Sequence, residues 1–283
     1  MSLATFHFCG MKRFLCALGC LVAWALNLQG QSSAFFSDAR AVGMGRAFVA
    51  LDGEIWMANP ASGLGEGGGG AACQLAIPYG LSDLSVRVLG LGLGSHQGFW
   101  RLGFLSSGVL WHKQSRWTLA YGRSLQEHWS VGLRLSYVRE RYTSFAVRSG
   151  MALEAGIQWM PQEQWTFGCL WRPYVDAGFR PASLSLGVSR RFEDFLLLSF
   201  ELSQSDDDFL PSWRMGLEYR PAQELAFRLG LSRSARTELA GQSALLRLHA
   251  GLGYAWGLWQ VDVALAYHPY LGFTPILGVK RMR

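Results

Sequence analysis

From about residue 71 to the C-terminus, apolar side chains recur at every second position. Such a period of two puts one set of side chains on each face of a β-strand. Trp129, Val131, Leu133, Leu135 and Tyr137 alternate with Ser130, Gly132, Arg134 and Ser136. Met151, Leu153, Ala155, Ile157 and Trp159 alternate with Ala152, Glu154, Gly156 and Gln158. The scheme repeats through Trp213–Tyr219, Leu225–Leu231, Leu246–Trp256 and Trp259–Tyr267. The pattern predicts fourteen strands, near 72–78, 84–91, 99–106, 115–123, 129–139, 151–159, 164–172, 183–191, 194–203, 212–220, 224–232, 244–256, 258–268 and 274–281. An even number of strands, most about 8–11 residues long, is what a closed antiparallel barrel needs to cross hydrocarbon at a tilt.

Two regularities favour a transmembrane antiparallel β-barrel over a soluble sandwich. The predicted connections alternate between tight ones, around 124–128, 160–163, 192–193, 221–223 and 257, and longer ones, around 140–150, 173–182, 204–211, 233–243 and 269–273. Short periplasmic turns facing longer outer loops produce that alternation, and place both ends of the barrel on the periplasmic side. Tryptophans cluster at strand ends: Trp117, Trp129, Trp165, Trp213 and Trp259 near starts, Trp159, Trp171 and Trp256 near finishes. Indole prefers the boundary between lipid and water, so two aromatic girdles account for the spacing.

Composition agrees: half of the 283 residues are hydrophobic but only 16% are charged, below the ~25% usual for a soluble domain. The one continuous apolar run lies at the start, where Lys12 and Arg13 precede Phe14–Leu28 and a polar exit at Gln29–Ser33. Those are the parts of a cleavable secretory signal. Residues 1–30 are thus assigned to export, with Met11 a conventional start and 1–10 a candidate upstream extension; 31–70 form a separate N-terminal segment and 71–283 the barrel. Three of the five cysteines leave with the signal, and Cys73 and Cys169 lie too far apart in sequence to read as a framework or a metal cluster.

The inferred lumen face carries Arg87, Arg101, Arg172 and Glu201 together with the lumen-lining candidates Arg134, Glu154, Arg214, Glu218, Arg228, Arg247, His249 and Asp262. Mixed charges facing one another where water is scarce form ion pairs; a lined path for a solute or polar headgroup is the alternative, and the excess of arginine would favour anions. No nucleophile–base motif or paired-cysteine metal motif accompanies them, so the chain reads as a non-enzyme with no cofactor. The formal charge of +6 falls to +4 without Lys12 and Arg13. The arginines are spread along strands and form no nucleic-acid footprint.

The most specific sequence precedes the barrel: Phe36 to Leu64 reads FSDARAVGMGRAFVALDGEIWMANPASGL. The elements Ala39-Arg40-Ala41, Gly43-Met44-Gly45, Ala47-Phe48-Val49-Ala50 and Asn59-Pro60-Ala61 resemble the N-terminal signature of FadL-like outer-membrane proteins, most clearly the PorV/PorQ-type branch and the related spirochaete proteins. Gly251-Leu252-Gly253-Tyr254, Asp262, Tyr267-His268-Pro269 and Leu271-Gly272 are similar to the last hairpin of the PorV/PorQ-type branch. The resemblance implies a fourteen-stranded barrel whose N-terminal segment folds into the lumen as a hatch, with Gly43, Gly45, Asn59 and Pro60 at hatch positions. Arg46 stands where that family usually carries glycine, and the chain ends Lys280-Arg281-Met282-Arg283 in place of a terminal aromatic. Two functions follow from it: passage or binding of a hydrophobic or amphipathic small molecule, or a non-transporting accessory role with secretion-system proteins. The expected surroundings are the lipids of an outer membrane.

Overall fold

The computed structural model describes residues 38–51, 59–63, 68–95, 98–109, 112–126, 128–143, 147–173, 182–206, 211–233 and 246–282. The assigned signal, 1–30, lies outside the described residues. Fourteen antiparallel strands close into a single barrel: β1 (Gly69–Ala76), β2 (Val86–Ser95), β3 (Gly98–Val109), β4 (His112–Gln126), β5 (Trp129–Tyr142), β6 (Arg148–Gln162), β7 (Trp165–Arg172), β8 (Ser183–Phe192), β9 (Leu196–Ser205), β10 (Ser212–Ala222), β11 (Leu225–Arg233), β12 (Leu246–Trp256), β13 (Trp259–His268) and β14 (Gly272–Met282). Each strand pairs with its neighbours in sequence, and β1 pairs with β14 to shut the cylinder. Closure leaves no open sheet edge, so every strand's backbone groups have a partner on both sides.

The alternation that marks the strands also sorts the two faces. Leu89, Leu93, Trp117, Leu133 and Leu229 are between 56 and 70% exposed on the outer face. Their inward neighbours, among them Ser130, Arg134, Glu154, Arg228 and Asp262, are at most 5% exposed. A ring of bare leucine on this scale is untenable in water and suits contact with hydrocarbon. Among the described residues no helix is long and apolar enough to cross a membrane.

The connections separate the ends of the barrel. At one end all turns are two or three residues, as at 127–128, 163–164, 193–195, 223–224 and 257–258. The 257–258 turn joins the paired Trp256 and Trp259, and Gly257 there has φ +56°, the left-handed conformation that such two-residue hairpin turns demand. At the other end the connections include 143–147, 173–182, 206–211 and 234–245. Two connections there depart from the rule: β3 and β4 run further than the pattern predicts and leave only residues 110–111 between them, and β14 starts at Gly272, so the longer connection expected at 269–273 is the three residues 269–271. The first two strands also shift. β1 starts in the glycine run at Gly69, where side-chain alternation gives no signal, and Pro78 belongs to a 3-10 turn (Pro78–Gly80) that a second (Ser82–Leu84) follows.

Aromatic side chains ring the outer wall at both ends. Near the tight turns Trp129 stacks on Trp159 with ring centres 5.5 Å apart, and Trp159 meets Phe167 at 5.3 Å. Towards the long connections Phe104 lies 4.3 Å from Trp117, and Tyr267 4.9 Å from Phe273.

Arg87 corrects the predicted lumen face. It is paired across the ladder with Leu75, which is 38% exposed on the outer face, while the inward positions beside it are Val86 and Val88. The residue therefore points away from the lumen.

Candidate functional site

Residues 38–51 and 59–63 run inside the barrel. Asp38 caps a five-residue helix, α1 (Ala39–Gly43), its carboxylate accepting from Arg40 N at 2.8 Å. The helix ends in two successive left-handed residues, Gly45 (φ +66°) and Arg46 (φ +65°). Glycine adopts that conformation freely and arginine does so only at a cost, which gives a physical reason for glycine at the Arg46 position in FadL-like sequences.

The wall meets this segment with a belt of glycines on β4 to β8 and again on β10 and β11, with Ser199 in that place on β9. A Cβ on Gly216 or Gly230 would collide with the Met44–Gly45 backbone, and one on Gly168 with Val49 O. A Cβ on Gly156 would overlap the Asn59 side chain, and one on Gly132 or Gly122 the Pro60 carbonyl. They fall in three rows that pair across the ladder, Gly122 with Gly132 and Gly156, Gly168 with Gly187, and Gly216 with Gly230, each row stepped by two residues from the next. The absent side chains let the segment's backbone approach the strands closely.

Polar wall residues then satisfy that backbone. Glu201 accepts from Phe48 N (2.9 Å) and Val49 N (3.1 Å), and also pairs with Arg214. Ser199 donates to Ala47 O at 2.8 Å and Ser189 to Ala50 O at 2.7 Å. Gln158 Nε2 donates to Val49 O and Leu51 O. Asn59 is fully buried; its Nδ2 donates to Val49 O at 2.9 Å, and its Oδ1 accepts from Ala61 N at 3.0 Å, turning the chain at Pro60. Arg101 reaches the carbonyls of Asn59 and Ser62. Buried amides left without such partners would each cost about 1–3 kcal/mol.

The α1 end is held by charge. Glu218 takes a two-point pair from Arg40, both at 2.8 Å, and a third bond from Arg228 at 2.6 Å. Arg228 bridges onward to Asp262 at 2.7 Å, and Lys280 lies 3.3 Å from the same carboxylate. Arg220, the most exposed member, also contacts Glu218, at 2.9 Å. On the long-connection side of the belt, Arg134 pairs with Glu154 at 2.7 Å, with Arg172 at 3.5 Å from the same carboxylate. His249 Nε2 shares a hydrogen bond with Ser232 Oγ at 2.9 Å.

The named residues thus fall into three groups. Gly43, Gly45, Asn59 and Pro60 lie in the inner segment, where Gly43 packs on Gly251 and Arg228. Glu218, Arg228 and Asp262 converge on Arg40. Arg134 and Glu154 make a separate pair, Arg214 joins Glu201, and His249 sits beside Ser232; Arg247 lies two residues from His249 on β12, outside the Arg40 cluster. Sequence reasoning passed over Arg40, Lys280, Gln158, Ser189 and Ser199. Arg40 carried a signal, as a lone charge in an apolar five-residue helix; the serines and Gln158 carried none beyond facing inward. Among the described residues no group of His, Cys, Asp and Glu could hold a metal.

Part of the interior is apolar. Ala76, Val86, Leu105, Ala264 and Ile276 form one buried cluster with Ala39 and Val42 of α1, so the wall from β13 round to β3 offers hydrocarbon to the lumen. An apolar hollow of about 1000 Å³, lined by residues of β7 to β14, opens on the outer wall.

No protein-family model matches the chain, and no curated protein matches it. Solved structures do resemble it in fold. The toluene transporter TodX of Pseudomonas putida superposes with a TM-score of 0.65 at 10% identity, over 91% of this chain and 98% of that one. The CymD monoaromatic hydrocarbon channel gives 0.63 at 14% identity, over 86% and 96%. A Pseudomonas aeruginosa FadL homologue gives 0.63 at 10% identity, over 90% and 99%. The chain therefore has the barrel fold of FadL-type channels.

Proposed function

We propose that this chain is an outer-membrane channel of FadL type that admits a hydrophobic or amphipathic small molecule, with residues 38–51 and 59–63 acting in its plug. The observation that carries the reading is the glycine belt. Stepped rows of inward glycines under the inner segment make a seat for a stretch of chain, and a purely structural cylinder needs none. The apolar wall from β13 to β3 supports a hydrophobic cargo, since a molecule sliding past α1 there would meet alanine, valine, leucine and isoleucine. The titles of the similar structures, a toluene transporter and a monoaromatic hydrocarbon channel, point to the same class of cargo.

The test is uptake. Cells expressing the chain in a host stripped of its own hydrocarbon channels should take up radiolabelled toluene, or a long-chain fatty acid, faster than cells with an empty vector. Rates equal to the vector control for both compounds, with folded barrel present in the outer membrane, would reject the channel. Co-purification of a stoichiometric secretion protein in that case would favour the accessory role.

A further inference from the structure

The outer wall carries one feature that a hydrocarbon-facing surface disfavours: a sector of unpaired cations. Following the ladder pairs from Arg87 on β2 gives Ser106 on β3, Ser115 on β4, Arg139 on β5 and Ser149 on β6, all in one row across the wall. This row is outward because Arg87 is level with exposed Leu75, and because Arg139 lies two residues beyond outward Tyr137. One step nearer the long connections, Lys113 stands directly opposite Arg141. Like charges in facing positions on one face destabilise a strand pair unless something neutralises them.

Nothing in the described protein does so. Arg87, Lys113, Arg139 and Arg141 are all exposed. Among the described residues none of the four has a hydrogen-bond or ion-pair partner. Glu140, between two of them in sequence, faces the lumen, where it accepts from Gln114 Nε2 at 3.0 Å. Asp83, exposed in the turn before β2, makes no ion pair among the described residues.

The height of the row is informative. The girdle of Phe104, Trp117 and Tyr137 marks the edge of the apolar band. Arg139 is two residues past that edge, about 7 Å along the strand, and Arg141 twice as far. That is the headgroup layer, where a lipid phosphate sits. Arg87 and Arg139 are three strand spacings apart, about 14 Å, with serine hydroxyls on the two strands between. On β8 to β12 the outward row through Trp213 reads Leu186, Leu202, Trp213, Arg233 and Leu246, where one exposed cation stands between apolar neighbours and faces no other.

We propose that Arg87, Lys113, Arg139 and Arg141, with the serine hydroxyls between them, form a binding site for a lipid whose headgroup carries at least two phosphates, in the leaflet around the long connections. The spacing suits two phosphates on one headgroup better than the single phosphate of a common phospholipid. The inference rests on the barrel spanning a membrane, and is independent of what the lumen carries.

The experiment uses the full mature chain in detergent micelles, with a bis-phosphorylated lipid A, phosphatidylcholine or inorganic phosphate added at equal concentration. Lipid A should raise the temperature of heat-modifiable gel migration and remain bound in native mass spectra; phosphatidylcholine and inorganic phosphate should do neither. The combined variant R87Q/K113Q/R139Q/R141Q should bind lipid A at least tenfold more weakly, whereas Arg123→Gln, on the outer wall at the tight-turn end, should bind as the parent does. Equal binding by parent and combined variant would overturn the site. Equal stabilisation by phosphatidylcholine would reduce it to general lipid contact, and equal stabilisation by inorganic phosphate would remove the lipid; either result overturns the proposal. A chain that binds no lipid A yet inserts into phosphatidylcholine vesicles defeats the site and leaves the barrel reading standing. A chain that inserts into no bilayer defeats both.

Discussion

Glu218 receives three hydrogen bonds from two buried guanidinium groups, on Arg40 and Arg228, and its side chain is 2% exposed. The energetic weight of such a residue lies in what its loss leaves behind. Glu218→Ala would take from Arg40 and Arg228 the carboxylate they share, leaving Asp262 beside Arg228, and breaking a buried pair in this way costs about 3–5 kcal/mol. Urea unfolding of the refolded barrel, followed by tryptophan fluorescence, should show a loss of that size. A loss under about 1 kcal/mol would mean that the cluster is wet and the α1 anchor weak. Asn59 makes the neutral counterpart at the other end of the segment. Asn59→Ala deprives Ala61 N of its acceptor and leaves Val49 O with the Gln158 donor, and the same titration should show a loss of about 1–3 kcal/mol.

Among the elements, the belt is the feature whose removal separates plug from barrel. Gly156→Val places branched carbons where the Asn59 side chain lies, yet valine is at home in a strand. The barrel should therefore close while the segment lifts from its seat. Val49, fully buried, reports this when replaced by cysteine in a background with Cys73 and Cys169 changed to serine. Labelling of Val49→Cys by a soluble maleimide should be slow in the Gly156 parent and at least tenfold faster beside Gly156→Val. Equal rates would show that the glycines do not govern the seat. What the sequence disclosed and what it hid divide along this line. Strand number and most boundaries were legible because burial on one face and lipid on the other impose a period of two along each strand separately. β1 was misplaced because Gly68–Gly70 has no side chains to alternate. Arg87 was misassigned because arginine was read as lumenal by type, although its strand alternates Leu89, Leu91 and Leu93 outward with Val86, Val88 and Gly90 inward. The inward glycines were visible singly, but that Gly132 and Gly156 face each other beneath Pro60 and Asn59 depends on register between strands, which no single strand encodes.

For the molecule as a whole, the even strand count puts both ends of the barrel on one side, that of the tight turns, and the inner segment enters from there. If the segment plugs the lumen, deleting residues 34–65 should raise single-channel conductance in planar bilayers several-fold, because the belt would then border open water. Unchanged conductance would place the barrier elsewhere. The orientation of the cylinder sets which leaflet each feature meets. Turns of two or three residues belong to the periplasmic side and longer connections to the outside. Cysteines placed at Val147 and Asp206 should therefore react with an impermeant maleimide on intact cells, and cysteines at Gln164 and Glu224 only after the outer membrane is opened. The reverse pattern would turn the barrel over, so that the inner segment would face the exterior. It would also carry Arg87, Lys113, Arg139 and Arg141 into the inner leaflet, where the doubly phosphorylated lipid they are spaced for would have to be sought instead. One labelling experiment thus decides whether the plug is reached from the periplasm and, together with lipid binding, in which leaflet the cationic row works.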